Sequence, residues 1–246
     1  MHLNRFYCER LQKPTVELVG SEAHHLHNVY RLKTGDEVEL FDGAGTLATA
    51  LIEKATSKSV LLKIADLEKI EKPDEPEVVI AVSLPKGERF DWLMEKCTEL
   101  GVDRITPVIF ERTVKQPRNP KIVERWRNIT IAAAKQCRRI FLPQIDAPFP
   151  LSEALSALKK QYNKAEILVG GLEPKSPALI TQRLGTKDTV AVIGPEGGIT
   201  ESEKAILENC GAKFVRLTNT ILRIETAALA FAAVLTASRD SRIKEK

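Results

Sequence analysis

The apolar positions change rhythm once along the chain. Residues 36–41, 47–52 and 58–64 are short apolar runs separated by polar turns, with Asp42-Gly43-Ala44-Gly45 between the first two, and they predict strands of a small barrel. Lys72-Pro73-Asp74-Glu75-Pro76 then breaks the pattern with two prolines and charges. A domain boundary is expected there, giving a barrel over residues 1–72 and a second domain over 73–246. Beyond the boundary, strand-like and helix-like segments alternate. Residues 78–84 and 104–110 read as buried strands, and 88–100 as a helix closing at Gly101. Asn119-Pro120 starts a long helix to Gln136, with Ile122, Trp126, Ile129 and Ala133 at 3.6-residue spacing. Residues 152–161 predict another helix, 165–169 and 213–217 strands, and Ser176-Pro177 is expected to open a helix as Asn119-Pro120 does. Such alternation predicts an α/β domain with a mainly parallel sheet covered on both faces, binding ligands at the carboxyl ends of its strands.

One strand end stands out. The apolar run Val190-Ala191-Val192-Ile193 breaks into Gly194-Pro195-Glu196-Gly197-Gly198 and restarts as a helix at Thr200, where Glu203 completes a capping box. Gly197 and Gly198 can take φ > 0 or bring bare backbone against a ligand. Downstream, Thr218-Asn219-Thr220 and Ile221-Leu222-Arg223-Ile224-Glu225 follow another short strand, so two loops of one sheet can face each other across a cleft. Glycine turns of this kind also serve purely structural ends in many α/β proteins. No GxGxxG follows an early strand and no GxxxxGK[ST] occurs, so the common dinucleotide and phosphate loops are missing.

Composition narrows the classes. A chain of 246 residues can bury a real core in one large or two modest domains. It has no signal-peptide pattern and no run of ~18 uncharged apolar residues, so a cytoplasmic protein with no membrane span is expected. Cys8, Cys97, Cys137 and Cys210 form no CxxC pair, and His2, His24, His25 and His27 offer no clear ligand set; neither a metal site nor a disulfide framework is indicated. The net charge of +4 is mild, yet nine basic residues stand against one acid between Arg112 and Arg139. Arg112, Arg125, Arg138 and Arg139 belong to this block, which suits a phosphate backbone or, more blandly, a solvated helix face.

The order GPEGGIT, then ILRIETAA, then a helix of small residues resembles the RsmE family of 16S ribosomal RNA uridine N3-methyltransferases, part of the SPOUT superfamily. The likeness extends to Arg5-Phe6-Tyr7, residues 20–25, residues 29–36 and Phe41-Asp42-Gly43 in the first half, and to Lys86-Gly87-Glu88-Arg89-Phe90, residues 96–102 and Gln136-Cys137-Arg138 in the second. It implies a C-terminal SPOUT-type trefoil-knot domain with a small N-terminal PUA-like β-barrel, and S-adenosylmethionine as methyl donor. Three loops would hold the donor: Val169, Gly170, Gly171 and Leu172; Ile193, Gly194, Glu196, Gly197 and Gly198; and Leu217, Thr218, Asn219, Ile221 and Leu222. The family commonly has Gly where Thr218 stands and often Arg where Thr220 stands. Leu217, Ile221 and Leu222 are equally ordinary core residues by type.

The same likeness implies ribosomal RNA of the small subunit as partner, with Arg5, Arg31, Lys33, Lys86, Arg89, Arg112, Arg125 and Arg139 as RNA contacts. Arg138 is the candidate for orienting the base or stabilising its anion, and Glu225 for taking a proton, although an Arg-x-Glu pair such as Arg223/Glu225 is equally a structural ion pair. Residues 226–238 carry no charge, which predicts a helix buried all round and used as a homodimer seam. Two rivals remain at this level. One is a non-catalytic RNA-binding assembly factor of the same fold, and the other a hydrolase using the glycine loop as an anion nest.

Overall fold

The computed structural model describes residues 3–114, 121–171 and 176–243, the side chains of the last two excepted. Contacts divide the chain into two compact units, residues 1–73 with 131–142, and residues 74–130 with 143–246.

The first unit contains β1 (Arg5–Tyr7), β2 (Thr15–Val19), α1 (Gly20–His24), a π-helical turn (His25–Val29), β3 (Glu37–Phe41), β4 (Thr46–Ala55) and β5 (Ser59–Lys69). Its sheet runs β1-β3-β4-β5-β2, antiparallel except for the β1/β3 pair. Alternation in β4 and β5 puts Ala48, Ala50, Ile52, Leu62 and Ile64 inside with Phe6, Leu26, Val38 and Leu40. Asp42 ties the β3/β4 turn by accepting from the backbone N–H of Ala44 at 2.7 Å and of Thr46 at 2.9 Å.

In the second unit the elements are β6 (Val78–Ser83), α2 (Arg89–Glu99), β7 (Arg104–Ile109), α3 (Ile122–Cys137, whose last residues belong to the first unit), β8 (Gln144–Ile145), β9 (Phe149–Pro150), α4 (Leu151–Gln161), β10 (Glu166–Gly170), β11 (Thr189–Ile193), α5 (Glu201–Asn209), β12 (Lys213–Val215) and α6 (Ile224–Ile243). Every strand pair is parallel, in the order β12-β10-β11-β6-β7-β8, with β9 also on β7. Val78, Ile80 and Val82 face α2 and α6, while Val79 and Ala81 face the α4/α5 side, so β6 is apolar without alternation.

Two expectations change. Ser176-Pro177 opens no α-helix; only a 3-10 turn, Leu179–Thr181, forms, because this stretch spends its backbone on Arg216. Arg216 donates to the Pro177 carbonyl at 2.9 Å and Leu179 donates to the Arg216 carbonyl at 2.8 Å, which clamps the exit of β12 to the β10–β11 connection. The uncharged stretch 226–238, which lies within α6, is not buried all round either: Ala228, Phe231, Ala232 and Leu235 are inside, whereas Thr226, Ala233 and Ala237 are exposed. No described helix is long and apolar enough to cross a membrane.

Candidate functional site

The carboxyl ends of β10 and β11 and the loop after β12 enclose a cavity of ≈ 530 Å³, a size that suits a nucleoside-sized ligand. Bare backbone forms part of it. A Cβ on Gly194 would fall 2.7 Å from Ile199 Cγ1 and displace that side chain, and one on Gly170 would fall 3.0 Å from Phe231 Cε2, tighter than an ordinary contact. Ile193, Leu217, Leu222, Phe214 and Phe231 make the apolar wall.

The loop between β11 and α5 is fixed from its far end. Thr200 accepts from the Glu203 backbone N–H at 3.3 Å while Glu203 accepts from that of Thr200 at 2.9 Å, completing the expected capping box. The buried Glu203 also accepts from the Glu111 N–H at 2.7 Å, so one carboxylate ties α5 to the end of β7. Gly198 takes φ 79°; Gly197 does not need a positive φ, and its carbonyl accepts from Arg112 Nη1 at 2.7 Å.

Of the residues expected around a donor, Gly170, Gly171, Ile193, Gly194, Glu196, Gly198, Leu217, Thr218, Ile221 and Leu222 line the cavity. Val169 is buried in β10, Gly197 turns to Arg112, and Asn219 is exposed away from the lining. Leu172 lies outside the described residues, as do Asn119 and Pro120. Thr218, where the family commonly has Gly, lines the cavity with its hydroxyl turned to its own loop: it donates to the Thr220 carbonyl at 3.0 Å and accepts from the Thr220 N–H at 3.3 Å. Sequence reading overlooked Lys204, Phe214 and Phe231 on this wall. Phe231 sits on the inward stripe of α6, where its spacing from Ala228 and Leu235 gave the only hint.

The candidate cations divide. Arg31, Lys33 and Lys86 are exposed. Arg5 is not: its side chain is 6 % exposed and held by Glu39 and over the Phe41 ring, so it is a strut of the barrel rather than an outward contact. Arg125 pairs with Asp91, and Arg89 lies 3.3 Å from Glu196 and 3.6 Å from Glu225. Arg139 donates its backbone N–H to the Ala134 carbonyl at 3.1 Å. Arg138 donates to Glu39 at 3.1 Å and to the Leu3 carbonyl at 2.9 Å, with its side chain about a third exposed. Arg31 (φ 56°) and Arg138 (φ 59°) are the non-glycine residues with left-handed backbone among those described. Such strain persists where surrounding structure over-determines it, and it concentrates at functional positions. Glu225 is buried but absent from the cavity wall.

Comparison with known proteins decides the family. The RNA methyltransferase domain model matches residues 72–236, and the RNA methyltransferase PUA domain model residues 18–65. The chain belongs to the ribosomal RNA small subunit methyltransferase E family. A family member from a Synechocystis species is 32 % identical over 95 % of this chain and 76 % of its own, and one from Mycobacterium tuberculosis is 31 % identical over 96 % and 93 %. Among solved structures, methyltransferase E from Neisseria gonorrhoeae bound to S-adenosyl methionine matches with a TM-score of 0.86 and 30 % identity, over 96 % of this chain and 98 % of that one. A Legionella pneumophila protein in complex with SAM gives the same TM-score and identity over 97 % and 98 %. The methyltransferase E fold is thus an α/β RNA methyltransferase domain with a parallel sheet, preceded by a PUA domain.

Proposed function

We propose that this chain, an S-adenosylmethionine-dependent ribosomal RNA methyltransferase, methylates N3 of a uridine in 16S RNA of the small ribosomal subunit. The observation that carries the reading is the glycine-floored cavity at the strand ends, in a chain whose family relatives are solved with this donor. Gly194 and Gly170 admit the donor against bare backbone, while Ile193, Leu217 and Leu222 offer a flat apolar wall for an adenine ring. When bound, the donor supplies a methyl group on a sulfonium that leaves as a neutral thioether.

The protein's own task is then positioning and proton removal. Uracil N3 carries a proton and is hidden in base pairs, so the target base must be unpaired or turned out of its stack. A planar guanidinium can stack on such a base or stabilise its anion, which suits Arg138, already fixed by Glu39 and the Leu3 carbonyl. Arg31, Lys33 and Lys86, exposed and basic, hold the backbone phosphates. Glu225, enclosed and paired to Arg89, acts as a positioning group for the loop ahead of α6. The open stripe of α6 at Thr226, Ala233 and Ala237 lets a second copy approach closely, giving a homodimer. The reaction belongs to the cytoplasm, where its substrate is.

Mapping modified nucleosides by mass spectrometry in 16S RNA from cells with and without the protein tests this reading. A single N3-methyluridine that disappears with the protein is expected; loss of a different base or ribose methylation refutes the N3 assignment.

A further inference from the structure

A second cavity, ≈ 700 Å³, opens at the other end of the same sheet, at the starts of β10, β11 and β12. Its charge is one-sided. Lys159, Lys164, Arg183, Lys187 and Lys213 line it, and Glu166 is the one acidic residue of the lining. Glu166 is already spent on Lys213 at 2.7 Å. Lys159, Lys164, Arg183 and Lys187 are exposed and form no ion pair with a described residue.

The bland account is that lysines collect at helix C-termini, where they offset the helix dipole. It explains Lys159 at the end of α4, and Lys164 just beyond it. It does not explain Arg183 and Lys187, which come from the connection between β10 and β11 and cap no helix. Nor does it explain why three separate stretches, 159–167, 183–187 and 210–213, converge on a concavity, where like charges focus a field rather than spread it. The half-charges of the α4 and α5 ends offset only part of the excess. Asn163 and Thr186 add neutral side chains able to hydrogen-bond an anion there.

We propose that this amino-end cavity is a second polynucleotide contact, which takes backbone phosphates of the ribosomal RNA at a segment distinct from the one that presents the target base. Distance enforces the distinction: the strands between the two cavities are five residues long, which separates them by ~17 Å, or several nucleotides. The contact carries affinity and register and no base identity. This inference rests on the ribosomal RNA methyltransferase reading.

The test compares the full-length parent with the triple variant Lys159→Gln/Arg183→Gln/Lys187→Gln for binding to small-subunit RNA over a range of salt. All three side chains are exposed, so folding is retained, and calorimetry with S-adenosylmethionine checks that the donor cavity is unchanged. The variant is expected to bind about tenfold or more weakly at low salt, with the slope of log K against log salt reduced by about 2 to 3. Equal affinity and slope in parent and variant, with normal donor binding, overturn the second contact alone. A parent that binds no ribosomal RNA overturns the functional reading as well. Inorganic tripolyphosphate is the other arm: saturable binding that the triple substitution abolishes, with RNA affinity untouched, assigns the cavity to a free polyphosphate and refutes the RNA contact.

Discussion

Arg89 Nε lies 3.6 Å from Glu225 Oε1, while the other oxygen of that carboxylate is buried with no hydrogen-bond partner among the described residues. Glu225 is the second residue of α6, after Ile224 and Arg223, both on the cavity wall, so the pair holds the start of α6 to the start of α2. Removing the cation strands a buried charge. Arg89→Ala is expected to destabilise the protein by about 1–2 kcal/mol, between the ~0–1 of an exposed pair and the ~3–5 of a broken buried one, because Arg89 is partly in water while Glu225 is buried. Adding Glu225→Gln should restore part of the loss in thermal unfolding; a single variant as stable as the parent refutes the pairing.

The capping box ranks two substitutions. Thr200→Ala removes one cap acceptor and should cost about 1 kcal/mol. Glu203→Ala leaves two backbone donors, Thr200 and Glu111, without an acceptor, and should cost about 2–3 kcal/mol. Denaturant unfolding that reverses this order contradicts the arrangement.

Asp42 makes the barrel sensitive to acid. Burial works to raise its pKa, but hydrogen bonds from Thr46 and Ala44 and the Lys69 charge outweigh it and hold the carboxyl below its ordinary value. A depressed folded pKa stabilises the native state fully above the unfolded value of about 3.9, and that contribution is lost as pH falls through the folded one. Asp42→Asn should therefore lower stability at neutral pH and flatten its decline below about pH 4. Parallel pH profiles for the two proteins contradict the role.

Arg138 separates folding from chemistry. Its left-handed backbone is relieved by glycine, so Arg138→Gly should stay folded and bind donor normally while single-turnover methyl transfer falls about a hundredfold. Arg138→Lys should not rescue, since an ammonium cannot stack as a planar guanidinium does. Transfer at the parental rate in either variant removes Arg138 from the reaction.

Much of this was legible because β6, β10 and β11 are nearly continuous apolar runs closed by turn residues, and because Thr200 and Glu203 announce the helix after the glycine loop. Strands β8 and β9 were not, being two residues each. Strand β1 was missed for the same reason, as three residues carry no period. The cations were the least readable part. Glu39 stands 34 residues from Arg5 and 99 from Arg138, and only the folded barrel shows that it engages both, making Arg5 a strut and leaving Arg138 partly exposed. Likewise Phe231 reads as one more core aromatic until Gly170 is found beneath its ring.

Titration calorimetry with S-adenosylmethionine tests the central claim, that the carboxyl ends of β10 and β11 hold the methyl donor. The parent is expected to give saturable heat at one site per chain. Gly194→Val, whose added carbons would displace the Ile199 side chain on the cavity wall, should lower the affinity at least about tenfold, with thermal unfolding of the variant checking that the fold is kept. No heat from the parent, or undiminished heat from Gly194→Val, contradicts the account.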